Sequence, residues 1–325
     1  MGVLWSQMFP PAPTLTESNL PPQAGRVFIV TGGYSGIGLE LVKMLYRAGG
    51  TVYIAGRSSD KASHVIEAIE PDPVKRGQRL EFIELDLSDL ETIRPFVETF
   101  KAKQQRLDVL WNNAGISSCP PELRTKQGLE MQMGTNAVGP YLLTVLLQPL
   151  LEATAKITKE ASVRVVWTAS ISVEAQAPKN GMDLECLKTP PRDRFLNYAM
   201  SKVANVYLCA EMAKQAAGTG TQVLHVVQNP GNLATNLVRY LPWLMKTLAR
   251  PLLYDAKFGA YTCLWGGLSE DLTLSDQGAY LLPWGRRHPN LRPDIVNACK
   301  TKEEGGSGHA AAFTSWCGEQ VRDYK

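Results

Sequence analysis

Histidine is scarce, with four in 325 residues, and the six cysteines (Cys119, Cys186, Cys209, Cys263, Cys299 and Cys317) fall at intervals that match no metal-ligand spacing. A metal centre is therefore not expected, and unpaired thiols in a reducing compartment are the simplest account of them. Charge of one sign is also lacking. Lys and Arg number 34 against 31 Asp and Glu, a net +3, and no aromatic-basic alternation is present, so nucleic acid is not an expected partner. No apolar run is long enough to span a bilayer, and the N-terminal stretch has no cationic flank followed by a sustained apolar core. A cytoplasmic location is the expectation. Between residues 26 and 280 no Pro- or Ser-rich linker separates two compositions, which argues for one domain.

What the chain has instead is alternation. Apolar runs at Val27 to Val30, Gly50 to Ala55, Leu80 to Leu85, Leu107 to Trp111, Val163 to Trp167 and Gln222 to Val227 read as strands. Stretches of helical periodicity lie between them, at Leu39 to Leu45, Leu90 to Lys103, Leu129 to Ala153 and Ser201 to Gln215. Nearly continuous apolar strands alternating with helices predict a single α/β domain, a Rossmann-type doubly wound parallel sheet with helices on both faces.

Where the first strand becomes the first helix, the chain reads Thr31-Gly32-Gly33-Tyr34-Ser35-Gly36-Ile37-Gly38. A helix N-terminus offers unpaired N–H groups and the positive end of its dipole, so an anion is stabilised there. Gly32 suits the tight turn, Gly36 removes a side chain that would collide with phosphates, and Gly38 lets the helix lie close to the strand. A lone glycine triplet is weak, since any strand-turn-helix needs small residues. The end of the second strand sharpens it. An acidic residue there would bind the free 2′-hydroxyl of NAD, but this chain has Gly56 and then Arg57, with Ser58 and Lys61 nearby. A guanidinium pairs with phosphate oxygens, so NADP(H) is expected over NAD(H); the other reading of Arg57 is an ordinary solvated charge at a strand end. Asp86, ending the third strand, is placed to receive the adenine amino group, and Asn112-Asn113-Ala114-Gly115 follows the fourth, where side-chain amides also serve as ordinary turn formers.

Tyr198-Ala199-Met200-Ser201-Lys202 places a phenol and an ammonium four residues apart, on one face of a helix. A phenol titrates near pH 10, and a cation within about 4–6 Å lowers that value, so Tyr198 is expected to exchange protons with help from Lys202. Ser170, just past the fifth strand, is the candidate donor to a developing oxyanion, with Ser172 as the alternative. An amphipathic helix surface also contains such Tyr-x-x-x-Lys pairs; the upstream glycine turn weighs against that reading.

With these motifs in order, the chain resembles the short-chain dehydrogenase/reductase family over roughly residues 24 to 280. The elements that carry the resemblance are the glycine turn, the Asp86-Leu87 pair, Asn112-Asn113-Ala114-Gly115, Asn136, Ser170, and Tyr198 with Lys202; Asn229-Pro230-Gly231 followed by Thr235 adds a seventh. Tyr53 to Arg57, the long Ser170 to Tyr198 spacing and Ser201 to Asn205 are most similar to the retinol-dehydrogenase and WW-domain-oxidoreductase type. The resemblance implies an NADP-dependent oxidoreductase, a ketoreductase in one direction, whose catalytic residues are Asn136, Ser170, Tyr198 and Lys202. It implies that Lys202 also bonds the nicotinamide ribose and that Asn136 holds a relay water. The dinucleotide is then expected to touch Gly32, Tyr34, Ser35, Gly36, Ile37 and Gly38 at the turn, Arg57, Asp86 and Leu87 at the adenosine end, and Asn113, Ala114 and Gly115 beyond. Tyr198, Lys202, Pro230, Gly231, Leu233 and Thr235 complete that expectation. Tyr34 lacks the basic side chain that some NADP-using relatives carry there. The alternative is a cofactor-binding protein that uses the pocket for cyclisation or isomerisation without net redox change, or as a binding module.

Residues 233–255, rich in Leu and carrying Tyr240, Trp243 and Met245, are expected to cover a bulky hydrophobic carbonyl or alcohol substrate. A homo-oligomer contact or weak contact with a membrane surface are the other readings of that stretch. Residues 1–24 contain Pro10, Pro11, Pro13, Pro21 and Pro22 and are expected to form an extended arm; Met1 to Ser6 also fits a loose acylation pattern. The domain proper is placed at 25–300, and 301–325 is expected to be a tail, flexible or lying over the site.

Overall fold

Val27-Phe28-Ile29-Val30-Thr31 is buried at every position, which only a strand covered on both faces allows, and it forms β1 at the centre of an eight-stranded sheet. The computed structural model describes residues 2–70, 80–234 and 253–325. After the short helix α1 (Val3–Met8), β1 (Val27–Thr31) leads into α2 (Gly36–Arg47), β2 (Thr51–Gly56), α3 (Ser59–Ile69), β3 (Leu80–Glu84), α4 (Ile93–Lys103) and β4 (Val109–Asn112). There follow α5 (Met131–Met133), a π turn over Gly134–Val138, α6 (Gly139–Ala155), β5 (Arg164–Thr168), α7 (Ser172–Ala175), α8 (Arg194–Thr219) and β6 (Leu224–Gln228). The described chain closes with α9 (Ala256–Leu268), β7 (Tyr280–Leu282), β8 (Arg286–Arg287), α10 (Pro293–Cys299) and α11 (His309–Gln320).

The sheet order is β3-β2-β1-β4-β5-β6-β7-β8, parallel except for the β7–β8 pair. Because β2 lies on one side of β1 and β4 on the other, the chain reverses direction across the sheet there, and a crevice opens at the carboxyl ends. Helices cover both faces. On one, α2 and α9 pack over Phe28, Val30, Trp111 and Val226; on the other, α4, α6 and α8 pack over Ile29, Tyr53, Leu110 and Trp167. The doubly wound single domain expected from the sequence is the one observed.

Two ends depart from expectation. Residues 3–8 of the expected extended arm are helical, with Gln7 buried, because hydrogen bonds to the body hold that turn. The expected C-terminal tail carries α11, which packs on α8 with Phe313 and Cys317 fully buried. No described helix is long and apolar enough to cross a membrane. Of the stretch expected to cover the substrate, residues 235–252, Thr235 among them, lie outside the described residues.

Candidate active site

Every strand from β1 to β6 ends at the same crevice, and the loops that leave them line a cavity of about 650 Å³. At the first turn Gly32 and Gly36 have φ of 69° and 53°, a region that disfavours side chains. A Cβ on Gly38 would stand 2.5 Å from the Gly32 carbonyl oxygen and 2.7 Å from Asn113 Nδ2, so only glycine lets α2 start this close to the sheet. Thr31 ties that turn to β4: its hydroxyl donates to the Trp111 carbonyl and accepts from the Asn113 and Ala114 N–H groups. Asn113 Nδ2 donates to the Thr31 carbonyl and so braces the backbone of the turn, while Asn112 Nδ2 donates to the Thr144 hydroxyl and ties the end of β4 to α6.

At the β2 end Arg57 and Lys61 are exposed and line the cavity. The Tyr34 ring lies over Gly56, where a Cβ would overlap it, and the Tyr34 hydroxyl accepts the Arg57 N–H at 3.2 Å. An acidic side chain at position 56 therefore has no room. Ser58 caps α3, accepting from the Lys61 N–H at 3.4 Å. Asp86 lines the cavity, with Oδ1 accepting from the backbone N–H and hydroxyl of Ser88. Tyr34, Ser35, Gly36, Ile37, Leu87, Ala114 and Gly115 line the same cavity; Gly38 and Asn136 stand behind it.

On the other side of β1 the residues expected to handle the proton come together. Asp193 caps α8 by accepting from the Phe195 and Leu196 N–H groups, and this fixes the first turn that presents Tyr198. Tyr198 and Ser170 both line the cavity, and the Ser170 hydroxyl favours the ionised form of the phenol. Ser170 Oγ also accepts the Ser172 N–H at 3.3 Å, whereas Ser172 is 4% exposed and its own hydroxyl makes no hydrogen bond, so Ser170 is the serine that faces the phenol. Lys202 Nζ donates to the Thr168 carbonyl at 3.0 Å and lies 5.6 Å from the centre of the Tyr198 ring. Asn136 sits in the π turn, its amide accepting from the Ile116 N–H and donating to the Ile116 carbonyl and Ser201 Oγ. A Cβ on Gly115 would stand 3.2 Å from Asn136 Oδ1 and 3.3 Å from Lys202 Nζ.

The expectation of a lowered phenol pKa is corrected here. Burial pushes Tyr198 up to about 12, with the Ser170 hydrogen bond pulling it back part of the way, and burial pushes Lys202 down to about 8. Loss of water dominates for both groups, and the Lys202 Nζ is bonded to the Thr168 carbonyl. At neutral pH the phenol is protonated and the amine is mostly ammonium.

Pro230, Gly231 and Leu233 line the cavity beside Lys202, and Gly231, at φ of 100°, packs against Trp284. Tyr280, Glu174, His288 and Gln7, none of them evident in the sequence, stand behind this wall; Tyr280 donates from its hydroxyl to the Ser170 carbonyl at 2.9 Å. The residues present fit a dinucleotide: a glycine cradle with no room for Cβ, cations at the β2 end, and Tyr198 and Lys202 toward the opposite end.

Residues 26–182 match the model of the short chain dehydrogenase family. A short-chain dehydrogenase/reductase of Pestalotiopsis fici is 42% identical over 97% of this chain and 96% of its own length. One of Emericella nidulans is 44% identical over 96% of this chain and 97% of its own. Among solved structures, a putative uncharacterized protein of Mycobacterium paratuberculosis superposes with a TM-score of 0.68 at 28% identity, covering 95% of this chain and 97% of that one. The NADP active-site complex of RhlG from Pseudomonas aeruginosa shares the fold, with a TM-score of 0.61 at 23% identity over 78% of this chain and 94% of that one. The chain thus belongs to the short-chain dehydrogenase/reductase family of oxidoreductases.

Proposed function

We propose that the chain is an NADP(H)-dependent oxidoreductase acting on a carbonyl or secondary alcohol of a bulky hydrophobic substrate. The observation that carries this reading is the Ser170–Tyr198 hydroxyl pair beside buried Lys202, across the sheet from the exposed cations Arg57 and Lys61. When bound, the nicotinamide supplies hydride to the carbonyl carbon, or accepts it in the reverse direction. Ser170 and Tyr198 then hold the substrate oxygen by their hydroxyls. Tyr198 gives that oxygen a proton in reduction, which its protonated state at neutral pH favours, and takes it back in oxidation. Lys202 steadies the phenolate left behind and bonds the ribose. Asn136 holds the Gly115-Ile116 backbone against α8 and supports the relay that returns the proton. Ile116, Leu233 and Leu253 give the substrate end its apolar surface.

NADPH oxidation in the presence of a panel of large and small carbonyls tests this directly. Carbonyl-dependent oxidation is expected, fastest with large apolar ketones, and Tyr198→Phe is expected to lower it by about 10²- to 10⁴-fold while NADPH still binds. A variant as fast as the parent chain, or no carbonyl dependence at all, refutes the reading.

A further inference from the structure

Helix α1 lies before the residues that match the family model, yet it touches two walls of the active site. Gln7 is 1% exposed and uses both ends of its amide. Its Oε1 accepts from Asn229 Nδ2 at 2.7 Å, and its Nε2 donates to Glu174 Oε2. Asn229 begins the Asn229-Pro230-Gly231-Asn232 turn that lines the cavity, and its Oδ1 accepts the Gly231 N–H at 3.1 Å. Glu174 lies on α7, the short helix that follows Ser170.

The neighbouring contacts make the arrangement rigid. His288 Nε2 donates to the other oxygen of Glu174 at 2.8 Å, with both side chains nearly excluded from solvent. Burial alone would raise the Glu174 pKa, but hydrogen bonds from His288 and Gln7 bring it below the ordinary value, so Glu174 is a carboxylate. The His288 ring lies edge-on to Tyr280, which holds the Ser170 carbonyl. Asn232 Nδ2 donates to Met8 Sδ, and Arg286 donates to the Ser6 carbonyl at 2.8 Å. A buried amide with a donor and an acceptor is suited to join a carboxylate to a carboxamide, because each of its ends meets its complement.

We infer that Gln7 is a positioning residue for the proposed reaction: it sets the distance between the Ser170 segment and the Asn229-Gly231 turn, so that the N-terminal helix is a working part of the active site. The inference rests on the oxidoreductase reading, because those two segments hold the substrate oxygen and the nicotinamide end of the dinucleotide. Gln7 touches neither. It acts through Asn229 and Glu174.

The full-length chain and three variants, Gln7→Ala, Gln7→Glu and the exchange Gln7→Glu/Glu174→Gln, test it. Two readouts are taken: kcat and KM for the carbonyl that the parent chain turns over fastest, from 9,10-phenanthrenequinone, benzil and 1-tetralone, and the fluorescence of bound NADPH, which reports the nicotinamide surroundings without turnover. Gln7→Ala and Gln7→Glu are expected to lose about tenfold or more in kcat, the scale of a misplacement below 1 Å, and to change the bound emission, with the NADPH Kd changed less than about threefold because the adenosine end is untouched. The exchange keeps every hydrogen bond, since an amide at position 174 donates to a carboxylate at position 7 and accepts from His288, and it is expected to recover kcat and emission. Parent-like kcat and emission in Gln7→Ala would overturn the inference. So would an exchange variant that folds and binds NADPH yet recovers nothing, or single variants that lose NADPH affinity and thermal stability in step with kcat. If the parent chain binds NADPH but reduces none of the three carbonyls, the proposed function fails while the emission comparison still decides the role of Gln7.

Discussion

At the scale of single residues, position 57 is where the proposed cofactor choice rests. Arg57 is exposed at the cavity rim, its N–H is taken by the Tyr34 hydroxyl, and Tyr34 fills the space that an acidic side chain at position 56 would need. An exposed guanidinium beside the α3 N-terminus suits the 2′-phosphate of the proposed NADP(H). Arg57→Ala is expected to raise the Kd for NADPH by about 10- to 100-fold, the worth of a pair of charge-assisted hydrogen bonds, and to leave the Kd for NADH unchanged. Titrations of both cofactors against both proteins check this, and equal cofactor affinities in the parent chain would dismiss it. Residues of this kind were legible in the sequence because each answers a local need: Gly32 a turn, Gly38 a close approach, Tyr198 and Lys202 a shared helix face. Gln7, Glu174, Tyr280 and His288 were not, because they are ordinary side chains whose partners lie 110 to 222 residues away. The direction of the Tyr198 shift was misjudged for a related reason. Sequence spacing placed the cation nearby but said nothing of how completely both groups lose water.

Elements were readable in proportion to how much of their pattern is self-contained. The strands β1 to β6 emerge within a few residues of expectation; β1, β2, β4, β5 and β6 are buried and read as continuous apolar runs bounded by turns, and the edge strand β3 keeps its apolar positions Leu80 and Ile83 buried. The strands β7 and β8 were missed, being three and two residues long, too short to show any period. The helix expected at 129–153 is present but broken by the π turn that carries Asn136, a local change of hydrogen bonding that composition does not reveal. The seating of α2 against the sheet is the feature on which the site most depends at this scale. A Cβ at position 38 would press on a backbone carbonyl and on Asn113, neither of which can give way without moving the turn or β4. Gly38→Ala is accordingly expected to lower stability by ~1–3 kcal/mol and to weaken NADPH binding by at least about tenfold, since the displaced helix N-terminus no longer faces the pyrophosphate. Urea melts with and without NADPH would show both effects, and unchanged NADPH affinity would mean that α2 is not seated as described.

For the whole molecule, the core does not end at residue 300. Gly305, Gly306 and Gly308 suggested a loose tail, but beyond them Phe313, Cys317 and Val321 recur at helical spacing, all fully buried in the same cluster as Val203, Tyr207 and Leu208 of α8. The Phe313 ring stands 6.2 Å from that of Tyr207 and stacks on Trp316. Because α8 also bears Tyr198 and Lys202, the last helix supports from behind the element that carries the proposed proton chemistry. Phe313→Ala, which removes a large side chain from a filled interior, is expected to cost ~3–5 kcal/mol in urea unfolding. Ser315→Ala, on the exposed side of the same helix, is expected to stay within ~0.5 kcal/mol of the parent chain. If the two variants unfold alike, α11 is not a part of the core and the support it lends to α8 falls with it; if only Phe313→Ala is unstable, the last helix belongs to the folding unit that contains α8.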